Sequence, residues 1–181
     1  MDNLVQAAMR KWPNVPDCYG WLGLDARGNW WMRDAEAQLN GPFATDHSQG
    51  INPKAKGALL VHQKLVEFIG RNYLCNDSGC WYFQNGPQRV FVELEVCPWV
   101  LRIAQDGSIA THTGVPIKGS EAWVDENGRL YLNTPLGLGL VHTLDMEYAA
   151  NQIERQAWTL GEVTAAELPT KFGFVRSPAQ H

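Results

Sequence analysis

Trp81-Tyr82-Phe83-Gln84-Asn85-Gly86-Pro87-Gln88-Arg89-Val90-Phe91-Val92-Glu93-Leu94-Glu95 decides the fold class. An aromatic run passes through a Gly-Pro turn into an alternating one. Val90, Val92, Leu94 and Val96 fall on one side, and Arg89, Phe91, Glu93 and Glu95 on the other. Period two is the side-chain period of a β-strand with one face in a core. The stretch therefore predicts a hairpin whose even-numbered face is buried and whose odd face carries two acids beside a guanidinium.

The same punctuation recurs on either side. Trp21, Leu22 and Leu24 lead through Asp25-Ala26-Arg27-Gly28 to Trp30-Trp31-Met32. Asp77-Ser78-Gly79, Asp106-Gly107 and Asp125-Glu126-Asn127-Gly128 each stand between apolar residues, which makes four hairpin-like units. Residues 2–11 predict a short helix capped by Asp2, with Val5, Met9 and Trp12 on one face and Pro13 at its end. Residues 40–56 read as loop, with Asn40-Gly41-Pro42 and Ser48-Gln49-Gly50. Asn52-Pro53 reads as the cap and first residue of a helix running to about Arg71. Ala58, Val61, Leu65 and Phe68 form its stripe, widened by Leu59, Val66 and Ile69. Near the end, Thr164-Ala165-Ala166-Glu167 spells a capping box, and Phe172 and Phe174 suggest a last strand or a packed arm.

These elements predict an α+β fold: a mostly antiparallel sheet built from hairpins, with one principal helix (about 53–71) packed on it, because an apolar helix stripe needs a sheet face to cover. With 181 residues and 45% hydrophobic content, the expectation is a single domain over 1–181, or two β lobes of about 1–105 and 106–181. A faint repeat runs through the chain. Asp77, Phe83, Asn85 and Pro87 recur 48 positions later as Asp125, Tyr131, Asn133 and Pro135. Trp81-Tyr82-Phe83 echoes Trp30-Trp31-Met32 at an offset of 51. Shared hairpin chemistry and a duplicated β unit both give such an echo, and strand order separates them.

A net charge of -4 and a pI of about 5.7 leave no basic footprint for nucleic acid. The first eleven residues lack the charged and apolar regions of a signal peptide, and no apolar run is long enough to span a membrane. Four cysteines, Cys18, Cys75, Cys80 and Cys97, are too sparse for a disulfide scaffold. The expectation is a cytoplasmic protein with neither nucleic-acid nor membrane partners.

The chain spells little recognisable chemistry. Cys75 and Cys80 are too far apart for a zinc knuckle, and His47, His62, His112, His142 and His181 form no metal motif, so no metal or cofactor is expected. His62 falls in the helix pattern and His142 alternates with apolar neighbours; His112, at a strand end before Gly114, is the strongest histidine candidate. There is no nucleophile elbow, Cys97 sits before Pro98, and Gly137-Leu138-Gly139 lacks the rest of a dinucleotide fingerprint. No catalytic residue is assigned. Lys54 and Lys56 lie in the first turn of the expected helix, where the dipole disfavours cations. Glu93 and Glu95 lie roughly 6.5–7 Å apart by strand rise and read as a solvated charge ladder with Arg89. Arg89 cannot meet Glu93 directly, since about 13 Å of strand separates them, so its partner is an acid on a neighbouring strand or a ligand.

The binding candidates are Gln84, Asn85, Gln88 and Arg89, in a turn richer in polar groups than a hairpin needs, together with His112, Trp30 and Trp31. Trp30 and Trp31 are adjacent, so they point to opposite faces of a strand.

Asn72-Tyr73, Asp77, Gly79, the run from Trp81 to Val90, Leu94-Glu95 and Pro98-Trp99 resemble an uncharacterised proteobacterial family of unknown function. Trp30-Trp31, Lys56-Gly57, Leu168-Pro169 and Phe172-Gly173-Phe174-Val175 fit it too, so the resemblance covers nearly the whole chain. More distantly, Asn133-Thr134-Pro135 and the general organisation are similar to a second uncharacterised bacterial family. The resemblance implies a self-contained bacterial domain and carries over no catalytic residue. The leading expectation is a non-catalytic binding or regulatory domain. Its partner would be a second copy of the chain, a small molecule or another protein, since Trp, Tyr and Arg are common interface anchors. The alternative is a small enzyme or small-molecule binder whose site joins the Gln84–Arg89 turn, His112 and a carboxylate from Glu93 or Glu95.

Overall fold

The computed structural model describes residues 1–44 and 52–180. The middle of the expected loop, with His47 and Ser48-Gln49-Gly50, and the terminal His181 lie outside the described residues. The chain folds as two compact units. The first comprises Met1–Asp25, Asn29–Val96 and Phe174–His181; the second comprises Ala26–Gly28 and Cys97–Gly173.

The first unit runs α1 (Asn3–Lys11), β1 (Cys18–Leu24), β2 (Trp30–Met32), α2 (Ala35–Leu39), a 3₁₀ turn (Pro53–Lys56), β3 (Ala58–Leu59), α3 (Gln63–Arg71), β4 (Tyr73–Cys75), β5 (Trp81–Asn85) and β6 (Gln88–Leu94). Its strands form one sheet in the order β3-β2-β1-β6-β5-β4. One sheet face carries Leu22, Leu24, Trp30, Tyr73, Phe83, Val92 and Leu94, all buried. The rings of Trp30 and Tyr73 meet edge to face at 5.1 Å, and Phe68 of α3 meets Phe83 at 5.4 Å. That is the core the alternating stretch called for.

The second unit runs β7 (Trp99–Ile103), β8 (Ile109–Thr111), β9 (Pro116–Ile117), β10 (Glu121–Val124), β11 (Leu130–Thr134), β12 (Gly137–Val141), a 3₁₀ turn (Thr143–Asp145), α4 (Met146–Glu154), β13 (Thr159–Glu162) and α5 (Leu168–Phe172). The sheet order is β13-β10-β11-β12-β7-β8-β9.

The two sheets use one strand plan twice. In each, a meander (β4-β5-β6, or β10-β11-β12) lays its last strand parallel beside the first strand of a hairpin (β1-β2, or β7-β8). A short third strand, β3 or β9, extends the hairpin edge. The register matches residue by residue. Leu22 faces Met32 and Val92; its counterpart Leu101 faces Thr111 and Val141. Tyr82 faces Phe91 as Tyr131 faces Leu140. The meander turns also agree: Asn76 Oδ1 accepts from the N–H groups of Ser78 and Cys80, and Asp125 Oδ1 from those of Asn127 and Arg129. The structural offset along the meander is 49, not the 48 suggested by the residue echo. In a strand a one-residue slip exchanges the two faces, so this correction decides which side chains correspond.

Two expectations need correcting. The sheets are mixed, because β1–β6, β7–β12 and β10–β13 pair in parallel. Hairpin signals report neighbours along the chain and say nothing about how one hairpin joins another. The expected helix over 53–71 is instead a 3₁₀ turn, the short strand β3 and α3. Asn52 and Pro53 do cap and open the 3₁₀ turn. Gly57 then takes φ of 80°, which ends the helical turn, and only glycine fits there because a Cβ would lie 2.3 Å from the Met32 carbonyl oxygen. Among the described residues, no helix is long and apolar enough to cross a membrane.

Candidate functional site

In the first unit the sheet face opposite the core carries Tyr82, Phe91, Gln84 and Arg89, since direct cross-strand partners share a face. Parallel pairing of Cys18 with Val90 brings Asp17, one residue earlier, beside Arg89. The guanidinium forks onto that carboxylate, with Nε to Oδ1 at 2.9 Å and an Nη to Oδ2 at 2.6 Å. Asp17 is therefore the neighbouring-strand partner that strand geometry demanded. Its hydrogen bonds hold the Arg89 guanidinium still more firmly protonated than usual. Tyr19 stacks flat on Phe91 at 4.6 Å, and Arg89 lies over both Tyr82 and Phe91. Burial raises the pKa of the Tyr82 phenol, and Arg89 opposes that rise.

Beside this aromatic and guanidinium patch is a cavity of about 370 Å³. One wall is Met9 and Trp12 at the end of α1, followed by Pro13, Val15 and Asp17. The other is Tyr82, Gln84, Pro87 and Arg89. The first wall is fixed at several points. Asp2, at the start of α1, donates its N–H to Asn72 Oδ1 and pairs with Arg71 rather than capping the helix with its carboxylate. Val5 is buried, and Gln88 donates to the Pro16 carbonyl at 3.0 Å. Two prolines in Trp12-Pro13-Asn14-Val15-Pro16-Asp17 restrict the backbone between these anchors.

Gln84 is the unusual group. It is 1% exposed, donates Nε2 to the Gly86 carbonyl at 2.9 Å, and leaves Oε1 buried with no hydrogen-bond partner. Buried polar groups are normally satisfied, and an orphaned acceptor costs about 1–3 kcal/mol.

The other expected site residues are placed as follows. Asn85 is exposed at the end of β5. Trp30 is in the core, while Trp31 is half-buried and donates its indole N–H to Asp25 at 2.9 Å. His112 belongs to the second unit, where its Nδ1 accepts from the Val100 N–H at 3.3 Å. Glu93 is buried rather than part of a solvated ladder; it accepts from Ser177 Oγ and the Ala179 N–H, and burial raises its pKa. Glu95 pairs with Lys56 at 2.8 Å. His62 and His142 cap α3 and the second unit's 3₁₀ turn. The four cysteines are free thiols, Cys75 exposed, Cys18 half-buried, and Cys80 and Cys97 buried. Among the described residues, no group of three or more His, Cys, Asp or Glu side chains is arranged to hold a metal.

Of the expected binding residues, Gln84 and Arg89 line this cavity and Gln88 holds its wall at Pro16, while Met9, Trp12, Val15, Asp17 and Tyr19 stand outside that expectation. The Pro-x-x-Pro spacing of Pro13 and Pro16 was the available signal, since a stiffened segment with an aromatic before it marks a possible wall.

In the second unit the corresponding face is more closed, and Asn133 borders a separate cavity of about 520 Å³ together with Glu121 and Thr134. Tyr82, Gln84, Arg89 and Phe91 correspond to Tyr131, Asn133, Leu138 and Leu140. Tyr131, Leu138 and Leu140 are buried, and Tyr131 donates its hydroxyl to Asp125 at 2.8 Å.

The fold and the cavity thus define an α+β protein of two like-patterned sheets, with a pocket built on the first. The chain belongs to the family described as "Protein of unknown function (DUF2946)", whose model matches residues 1–179. Two solved structures are similar to it. One is a DUF1285 family protein from Silicibacter pomeroyi DSS-3, at 13% identity over 83% of this chain and 84% of that one, with a TM-score of 0.48. The other is a DUF1285 family protein from Shewanella baltica OS155, at 15% identity over 77% of this chain and 97% of that one, with a TM-score of 0.49. No curated protein matches the chain.

Proposed function

We propose that the protein is a cytoplasmic binding domain without catalysis, and that it takes a small molecule in the cavity between Trp12 and Gln84. The observation that carries this reading is the orphaned oxygen of Gln84, a residue that lines a cavity of aromatic, apolar and ion-paired side chains. Ligand sites are mostly apolar concavities with a few fixed polar groups, and about 370 Å³ is at the small end of their range. Net negative charge and four free thiols support the cytoplasmic placement. His112 and Trp30 fall outside the proposed site.

A thermal-shift screen of metabolites and nucleotides tests the reading. A ligand at 100 times its dissociation constant adds about 2.7 kcal/mol of stability. The expected hit stabilises the protein, loses its effect in Gln84→Leu and keeps it in His112→Ala. Hits that ignore Gln84→Leu but vanish in His112→Ala overturn the reading in favour of a site in the second unit.

The exposed rings of Tyr19 and Trp21, 44% and 45% accessible, favour a second use of the same unit: self-association into a homodimer. Sedimentation at high protein concentration checks it. A monomer whose mass does not change with concentration would remove that reading without touching the cavity.

A further inference from the structure

The cavity's chemistry also narrows the ligand class, on the assumption that the cavity is the binding site proposed above. Lys11 sits against the Trp12 ring at 4.5 Å; among the described lining residues the one cation, Arg89, has its fork closed on Asp17 by two hydrogen bonds. The pair is neutral overall, so an anionic ligand would have to compete with a carboxylate already in place. The unmet group is an acceptor, so the ligand must bring an N–H or O–H donor. Trp12, Pro13, Tyr82 and Pro87 line the space with ring side chains. A volume of about 370 Å³ holds roughly a dozen waters at ~30 Å³ each, which is the scale of a bicyclic ring system.

We infer that the site takes an uncharged, flat N–H heterocycle of about bicyclic size, whose ring lies among the Trp12, Tyr82 and proline rings and whose N–H is donated to Gln84 Oε1. That oxygen is out of solvent contact, although Gln84 lines the cavity. Gln84's carboxamide is held through its nitrogen by Gly86, so engagement requires the side chain to turn and that bond to be re-made. Trp12 is 51% exposed and forms the outer part of the wall.

Calorimetric titration of the full chain with indole, 1-methylindole and indole-3-carboxylate tests the class. Indole is expected to bind, with 1-methylindole at least about tenfold weaker because the buried acceptor stays unmet. In Gln84→Met that difference is expected to disappear. Equal affinity for indole and its methylated form, or tighter binding of the carboxylate, overturns the inference. No binding of any of the three, while another hit from the screen still depends on Gln84, removes this ligand class and leaves the site standing. If no ligand at all depends on Gln84, both fall. Should Gln84→Met not fold, Trp12→Ala replaces it: the ring is half exposed, so stability holds while indole affinity falls severalfold, and unchanged affinity counts against the inference.

Discussion

Tyr82 and Tyr131 occupy the same place in two copies of one strand plan and meet opposite fates. Tyr131 is fully buried, hydrogen-bonded to Asp125 and near the apolar Leu138 and Leu140. Tyr82 is half-buried beside Arg89, and the same face carries a cavity and an unsatisfied amide oxygen. Both copies keep the inner face apolar: Phe83 and Val92 in one, Leu132 and Val141 in the other. What differs is the outer face. The second unit buries Tyr131, Leu138 and Leu140 and has a cavity around Asn133, whereas the first leaves Tyr82 and Arg89 half-buried beside its own.

Exchanging the corresponding residues should give the largest effect. Leu138 is 1% exposed, so Leu138→Arg buries an unpaired charge and should cost about 3–5 kcal/mol or prevent folding. The reverse change, Arg89→Leu, removes a pair whose arginine is 43% exposed and should cost about 1 kcal/mol at most. Chemical denaturation of both variants measures the asymmetry. Similar costs would mean that the two faces do not differ as described.

A smaller contrast lies in the two hydroxyls. Tyr131→Phe strips a donor from the buried Asp125 carboxylate and should cost about 1–3 kcal/mol. Tyr82→Phe should fall within the ±0.5 kcal/mol usual for surface substitutions. A costly Tyr82→Phe would mean that its hydroxyl serves the fold rather than the cavity wall.

The smallest contrast is in pH. Hydrogen bonds from Arg102 hold the Asp145 carboxyl below the ordinary aspartate value, so its contribution is present above about pH 3.9 and is lost as pH falls through the depressed folded value. Burial raises Glu93, so the folded first unit binds that proton more tightly than the unfolded chain does. Its ionisation therefore subtracts stability as pH rises through the raised folded value, and acidification restores it. Melting curves across the acid range should show Asp145→Asn flattening an acid loss and Glu93→Gln flattening an acid gain. The opposite pairing of signs would contradict both assignments.

Much of the fold was legible because hairpins are local. Asp25–Gly28, Asn76–Gly79, Ala104–Gly107 and Asp125–Gly128 all turn where apolar alternation stops. The joins between hairpins were not legible, because the β1–β6 pairing links Cys18 to Val90 across most of the first unit and leaves no periodic trace. Half of the site was hidden for the same reason. Arg89 could be seen to need an acid, but Asp17 lies 72 residues away and reaches it only through the parallel register. Trp12 looked like the last residue of an apolar helix stripe, yet only Val5 of α1 is buried. The helix over 53–71 failed at Gly57, where a φ of 80° overrode a convincing pattern.

The central proposal is that the cavity on the first unit's outer face, and not the one beside Asn133, takes a ligand. Amide hydrogen exchange with and without a stabilising ligand tests it most directly, because added protection marks the backbone that the ligand orders. Protection should rise over residues 9–17 and 82–89 and stay unchanged over 131–140. Protection centred on 131–140, or on His112, would contradict it.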